Sequence, residues 1–281
     1  MALSLRGLAR QGAAYLSQRG VEDADFDARQ LLLHCCGIDG TRLLMNGDRP
    51  VDDAKAAAYQ ALLDRRAAGE PLQYILGQWD FYGSAFAVGP GVLIPRPETE
   101  QLTELCVERV NSGGYRTIYD LCAGTGCIGL SIAKACPQTE VYLFELYEAA
   151  FCYLKKNAEA MALPNAHLIQ ADVLRGCPAG LPAPDLIVSN PPYVKAGEIA
   201  GLQREVGFEP TTALDGGEDG YVFYRTIAER WLPLLHKNGF AAVECGEGQP
   251  ETVSALFAPY LEARPLTDVF GISRFVAGNR K

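Results

Sequence analysis

Asn190-Pro191-Pro192-Tyr193 directly follows the apolar run Leu186-Ile187-Val188-Ser189. The run has the length of a buried strand, so the four residues leave it at the C-terminal edge, where open α/β sheets bind ligands. Each proline fixes φ and removes a backbone N–H, so Pro191 and Pro192 present carbonyl acceptors and no competing donors. A residue before proline is held extended, which keeps the Asn190 side chain at that edge. The Asn190 side-chain oxygen and a proline carbonyl can together accept both hydrogens of an NH2 group, while the Tyr193 ring covers its flat face. Such a nitrogen, in an amide or an aromatic amine, is a poor nucleophile because its lone pair is delocalised. Two fixed acceptors hold its plane, favour the positive charge that develops during attack, and aim the lone pair at an electrophilic methyl. The competing reading is a Pro-rich turn after an ordinary strand, and the rest of the chain has to decide.

Asp120-Leu121-Cys122-Ala123-Gly124-Thr125-Gly126 lies between an expected strand and an expected helix, the context that gives a Gly-rich turn meaning. Gly124 and Gly126 allow the backbone to approach a ligand closely. Glu145 ends the next expected strand, about 20 residues on, where a carboxylate accepts from ribose hydroxyls. Asp172 ends the strand after that and, beside Val173, is placed to face an adenine. Gly129 completes a G-x-G-x-x-G spacing, so the loop alone leaves a dinucleotide open. The Asn190 clamp favours a sulfonium methyl donor, because nicotinamide chemistry has no evident need for it.

Other residue types offer less. His34, His167 and His236 have no convincing partner and are expected to be structural or solvent-facing. The nine cysteines, with Cys35 and Cys36 adjacent and no C-x-x-C pair, have the spacing of neither a disulfide framework nor a zinc site. They are expected to be reduced and mostly buried. Cys122, Cys127 and Cys136 fit neither ferredoxin pattern. No metal is expected.

The elements that must position the clamp and the Gly-rich turn change character along the chain. The first 80 or so residues read as helices, with stripes Leu5, Leu8, Tyr15, Leu16; Ala24, Ala28, Leu31, Leu32, Cys35; and Ala58, Leu62, Leu63. From Trp79, alternating aromatic and small residues with Gly83 and the Gly89-Pro90-Gly91 turn predict a hairpin. Pro97 suits the first turn of a helix carrying Leu102, Leu105, Cys106 and Val110. Beyond Tyr115, strands near 117–122, 141–145, 167–171, 185–189 and 239–245 alternate with helices near 127–136, 148–162, 218–236 and 250–262, as a parallel sheet with crossovers requires. The helix at 218–236 is expected to kink at Pro233. Residues 266–276 read as a closing antiparallel hairpin. The expected domains are a helical bundle over 1–78, a hairpin linker over 79–95 and a Rossmann-like sheet domain over 96–281.

At 281 residues, with 48% hydrophobic and 21% charged residues, the chain can bury a sizeable core. Its 25 Lys and Arg against 34 Asp and Glu leave a net charge of −9, which counts against a large phosphate-binding face. No apolar stretch approaches the roughly 20 residues that span a bilayer. Arg6 and Arg10 interrupt the segment where a signal-peptide core would sit. A cytoplasmic monomer is the expectation.

Taken together, several segments resemble the bacterial release factor glutamine methyltransferases. They are Glu70 to Gly77, Leu93-Ile94-Pro95-Arg96-Pro97-Glu98-Thr99-Glu100, the Asp120 loop, Val188 to Tyr193, Phe208-Glu209-Pro210 with Ala213-Leu214, and Gly271 with Arg274. The Asn-Pro-Pro-Tyr motif is shared with DNA and RNA amino-methyltransferases, whereas the Ile94–Glu100 stretch is far more specific. The resemblance implies a Rossmann-like methyltransferase fold with a small N-terminal helical domain. It also implies S-adenosylmethionine as methyl donor, the Gly-Gly-Gln glutamine of peptide-chain release factors as acceptor, and an N-terminal domain that recognises the protein substrate. By position, Asp120 and Cys122, Ala123, Gly124, Thr125 and Gly126 take the cofactor loop, Glu145 the ribose and Asp172 or Val173 the adenine. Asn190, Pro191, Pro192 and Tyr193 take the glutamine, Asn190 also bordering the cofactor. The chain departs from the family at Cys122-Ala123 for the usual Gly-Thr, at Glu145 for Asp, and at Leu146-Tyr147 for Ser-Pro. The alternatives are an amino-methyltransferase acting on a flipped base of DNA or RNA, which needs a basic channel, and a catalytically silent adaptor. The segment 194–217 is a candidate lid or docking loop.

Overall fold

The computed structural model describes residues 3–281; residues 1 and 2, at the start of the expected first domain, lie outside the described residues. The chain forms two units. One runs to Gln78 and includes Gln203–Phe208; the other comprises Trp79–Leu202 and Glu209–Lys281.

The first unit is helical: α1 (Leu5–Ser17), α2 (Ala24–Cys36), α3 (Gly40–Asn46), α4 (Asp53–Ala67) and α5 (Leu72–Leu76). Side chains of Ser4, Asp39 and Asp52 accept from the free N–H groups of the first turns of α1, α3 and α4. Gly37 and Gly77 end α2 and α5 in left-handed conformations. Leu5, Leu8, Leu16, Ala28, Leu31 and Leu32 are buried as their stripes require. The α4 stripe differs: Ala58 is exposed, and the buried face is Tyr59, Leu63 and Arg66. A large amphipathic tyrosine and an ion-paired arginine replaced the small apolar residue that hydrophobicity alone selects. The Tyr59 hydroxyl donates to the Ala28 carbonyl at 3.0 Å. Arg66 donates to Asp27 at 2.6 Å and also to Glu205. Desolvation raises the Asp27 carboxyl above its ordinary range, against the opposing pull of Arg66.

The second unit opens with a two-stranded hairpin, β1 (Gln78–Phe81) and β2 (Ser84–Ala87), followed by α6 (Pro97–Gly113). Strands and helices then alternate: β3 (Thr117–Leu121), α7 (Cys127–Ala135), β4 (Glu140–Glu145), α8 (Glu148–Met161), β5 (Ala166–Gln170), β6 (Leu186–Ser189), α9 (Val222–Thr226), β7 (Phe240–Glu244), α10 (Pro250–Phe257), β8 (Arg264–Thr267) and β9 (Ser273–Asn279). Seven strands form one sheet in the order β5-β4-β3-β6-β7-β9-β8, parallel except for the pairings of β9. Two apolar clusters cover it, one around Leu130, Leu143 and Val188, the other around Tyr119, Trp231 and Phe257.

Two helices are shorter than their apolar patterns predict. The helix expected from 218 starts at Val222, because Gly217 and Gly220 take left-handed φ of 87° and 79°. It passes through a π-turn at Ile227–Trp231 into a 3-10 turn at Leu232–Leu234, where Pro233 has no N–H to continue the α ladder. Helix α10 stops at Phe257: Ala258 keeps helical angles of φ −53° and ψ −31°, but Pro259 has no N–H with which to continue the ladder.

Candidate active site

The site follows from topology. From β3 the chain adds β4 and β5 on one side, and β6 and β7 on the other, so a crevice opens at the C-terminal ends of β3 and β6. Leu121 and Ser189 are register partners, and the Ser189 hydroxyl donates to the Leu121 carbonyl at 2.6 Å. The 122–126 turn and the 190–193 segment therefore leave the sheet side by side. A cavity of about 190 Å³ lies there. Of the residues singled out in the sequence, Cys122, Ala123, Gly124, Thr125, Glu145, Asp172, Val173, Asn190 and Pro192 line it. Asp120, Gly126, Pro191 and Tyr193 do not.

On the nucleoside side, the two glycines do different things. Gly124 has φ 56°, and an added Cβ would meet only Val92 Cγ2 at 3.9 Å, so its backbone opens on the cavity. Gly126 has φ 82°, and a Cβ there would lie 2.4 Å from Leu154 Cδ1, so close packing onto α8 demands its glycine. Cys122 holds a left-handed φ of 60° with a side chain that favours other regions. The Glu145 carboxylate is 7% exposed and accepts from the N–H of Gly124 and of Tyr147, each at 2.9 Å. Burial raises its pKa and those backbone donors restrain the rise. Each of its oxygens retains acceptor capacity for a hydroxyl. Asp172 accepts from the Leu174 N–H at 2.9 Å and starts the short turn Val173–Arg175. Asp120 lies fully buried beneath the turn, with Oδ2 accepting from the Gly129 N–H at 2.8 Å and Oδ1 lacking a partner among the described residues. Its role is to brace the turn against α7, and burial pushes its carboxyl up to about 7. An open glycine backbone and a buried acceptor at the second strand end fit the sugar and chain of an adenosyl cofactor.

On the acceptor side, Asn190 Nδ2 donates to Thr99 Oγ1 at 3.3 Å, and Thr99 Oγ1 donates to Glu244 Oε2 at 2.6 Å. Burial pushes the Glu244 carboxyl up to about 7, against the opposing effects of Thr99 and Arg274. Neither Thr99 nor Glu244 was assigned a role from the sequence. Thr99 stands inside the Ile94–Glu100 stretch, and Glu244 ends an otherwise apolar buried strand, the same signature that marked Glu145. Gln249 holds the clamp from behind: its Nε2 donates to the Tyr193 carbonyl at 3.0 Å, while its Oε1 accepts from the Gly246 N–H at 2.9 Å. The Tyr193 ring packs toward Gly246, and burial raises its hydroxyl to about 12. Glu209, 6% exposed, accepts from the Ile94 N–H at 3.1 Å and from Arg96, fixing the segment that brings Thr99 to the site.

The histidine expectation needs one correction. His167 Nε2 is 2.5 Å from Glu140 Oε2, and its ring stacks on Tyr142. The pair sits on neighbouring exposed strand positions that single-sequence reading does not connect. All nine cysteines are free, but only Cys106, Cys127, Cys136 and Cys245 are buried. Cys152 faces solvent because it lies on the outer face of α8.

Comparison with known proteins bears on the family and the fold. Residues 8–77 match the family model described as PrmC N-terminal domain, and residues 90–206 match the methyltransferase small domain. A release factor glutamine methyltransferase of Geobacter sulfurreducens is 38% identical over 94% of this chain and 92% of its own. One from Moorella thermoacetica is 35% identical over 99% of this chain and 100% of its own. Among solved structures, a T. thermophilus 16S rRNA methyltransferase in complex with AdoMet and guanosine superposes with TM-score 0.53 at 22% identity, over 73% of this chain and 50% of that one. The hMettl16 catalytic domain gives TM-score 0.56 at 15% identity over 81% and 82% of the two chains. At those identities the likeness speaks for the fold, while the near full-length relatives speak for more: the chain belongs to the release factor glutamine methyltransferase family.

Proposed function

We propose that this chain transfers the methyl group of S-adenosylmethionine to the side-chain nitrogen of the glutamine in the Gly-Gly-Gln motif of peptide-chain release factors. The observation that carries the reading is a single cavity lined at once by the Cys122–Thr125 turn, Glu145, Asp172 and Val173, and by Asn190 and Pro192. S-adenosylmethionine, when bound, supplies an activated methyl on a sulfonium. Glu145 accepts from its ribose hydroxyls, Asp172 and Val173 flank its adenine, and the Gly124 backbone lets its chain lie close. Asn190 Oδ1 and the carbonyl of a clamp proline accept the two glutamine N–H hydrogens, holding the amide plane while its lone pair faces the methyl. Positioning of this kind supplies roughly 7–11 kcal/mol of a barrier. The cationic N-methyl amide then passes a proton to water, and because it is a strong acid no strong base is demanded.

The test is incubation with labelled S-adenosylmethionine, a purified release factor, the same factor with the glutamine replaced by alanine, and nucleic acid as competitor. Label is expected on the glutamine alone; label on the nucleic acid, or on the alanine variant, sinks the reading. Asn190→Ala is expected to slow turnover by about 100-fold while donor affinity survives.

A further inference from the structure

We infer that Glu244, acting through the Thr99 hydroxyl, sets which end of the Asn190 amide faces the substrate. The inference rests on the reading of Asn190 as the glutamine clamp. An asparagine side chain is nearly symmetrical in shape but opposite in chemistry at its two ends. A clamp that accepts from an NH2 group works only with the oxygen toward the cavity.

Nothing in the Asn-Pro-Pro-Tyr segment itself chooses between the ends. The choice comes from proton counting across three elements. The Thr99 hydroxyl has one hydrogen. Glu244 Oε2, 2.6 Å away at the end of β7, would donate to Thr99 as the protonated acid, but as the carboxylate it is an acceptor that takes this hydrogen. Thr99 Oγ1 is then left with lone pairs only, and the Asn190 group 3.3 Å from it must be the NH2. The Asn190 oxygen is then the end not bonded to Thr99, and Asn190 and Thr99 both line the cavity. Glu244 is 2% exposed and does not line the cavity, so it acts on the substrate only through Thr99 and is a positioning residue.

The chain of bonds also polarises in one direction. A hydroxyl that donates to a carboxylate is a better acceptor, and an amide whose N–H donates to it carries more negative charge on its oxygen. That oxygen is the atom that meets the developing positive charge on the glutamine nitrogen. The frame is rigid: the Thr103 hydroxyl donates to the Thr99 carbonyl at 3.1 Å, and the Tyr224 hydroxyl donates to the Glu244 carbonyl at 2.8 Å.

The experiment is a kinetic double-mutant cycle with labelled S-adenosylmethionine and purified release factor, with donor Kd measured in parallel by calorimetry. Thr99→Val keeps the shape and removes the hydroxyl; it is expected to lower kcat about 10-fold with donor Kd unchanged. Thr99→Ser is expected to restore kcat. In an Asn190→Ala background Thr99→Val is expected to add no further loss. Glu244→Gln, whose amide can donate to Thr99 and release its hydrogen toward Asn190, is expected to reproduce the Thr99→Val effect, and replaces it if that variant does not fold. Wild-type kcat in both Thr99→Val and Glu244→Gln, beside a crippled Asn190→Ala, overturns the relay and leaves the clamp standing. An equal loss from Thr99→Val with and without Asn190 overturns the relay by making Thr99 a general structural residue. Wild-type kcat in Asn190→Ala overturns the clamp and the relay with it.

Discussion

Gly124 and Gly126 stand two positions apart in the cofactor turn, and substitution should separate their roles. Gly124→Ala makes only an ordinary contact with Val92 and bears the cost of its left-handed φ, about 1–2 kcal/mol. Gly126→Ala bears that cost and drives a Cβ into Leu154 and Leu130. Thermal denaturation should therefore show a markedly larger loss for Gly126→Ala, and equal losses would refute the division. Glu145→Ala should weaken donor affinity in calorimetry, and an unchanged Kd would remove its ribose role. Asp120 offers a pH test. Its folded carboxyl is raised to about 7 by burial, above the ordinary value of an unfolded aspartate. The folded state then holds the proton more tightly, so its contribution to stability is complete below about pH 4 and is lost as pH rises to about 7. Asp120→Asn keeps an acceptor for the Gly129 N–H without titrating. Its melting temperature relative to wild type should rise between pH 4 and 7 and level off above, and a flat difference would show Asp120 ionised throughout. At this scale the sequence was legible where a residue carries its own signature, as in Asn190 before two prolines or Gly124 in a turn. Thr99 was not, because its significance is a hydrogen bond across 145 positions of chain, and Glu244, though it ends an apolar strand as Glu145 does, shows its partner only in the fold.

Among the elements, the segment between β2 and α6 depends on a partner from far along the chain. Pro95 and Pro97 stiffen it, but its place is set by Glu209, which holds both the Ile94 N–H and Arg96. Removing the carboxylate leaves a buried backbone donor unpaired and a guanidinium, one-third exposed, without its counter-charge. Glu209→Ala is expected to cost about 2 kcal/mol in denaturant unfolding and, because α6 carries Thr99, to lower kcat as well. A loss of stability with full kcat would show that the segment does not position the clamp. Strand and helix order was readable from the alternation of apolar runs, because parallel strands buried on both faces leave strong signals. The α4 face, the π-turn before Pro233 and the end of α10 were not read correctly. Each depends on a local exception: a paired arginine, a missing N–H, or a proline two residues ahead.

For the whole molecule, the informative residue is Arg66. Gln203–Phe208 belongs to the helical unit although Leu202 and Glu209 on either side belong to the sheet unit, so the chain between the clamp and Glu209 passes from one unit into the other and returns. No pattern in a single sequence announces such an excursion, since Arg66 and Glu205 lie 139 positions apart. Within the helical unit, Arg66 is buried, Asp27 is buried beside it, and Glu205 is half exposed. The two bonds should therefore fail differently. Arg66→Leu strands a buried carboxylate and is expected to destabilise the helical unit by about 3–5 kcal/mol, with part of the loss recovered by Asp27→Leu in the same chain. Glu205→Ala leaves the Asp27–Arg66 pair intact and is expected to cost under about 1 kcal/mol, as half-exposed pairs do. It should nevertheless speed hydrogen exchange of Gln203–Phe208, whose side-chain tie to α4 it removes, while protection of the sheet strands stays as in wild type. Unchanged exchange in 203–208 would mean that the backbone turn at Val206–Phe208, and not the ion pair, holds this segment in the helical unit.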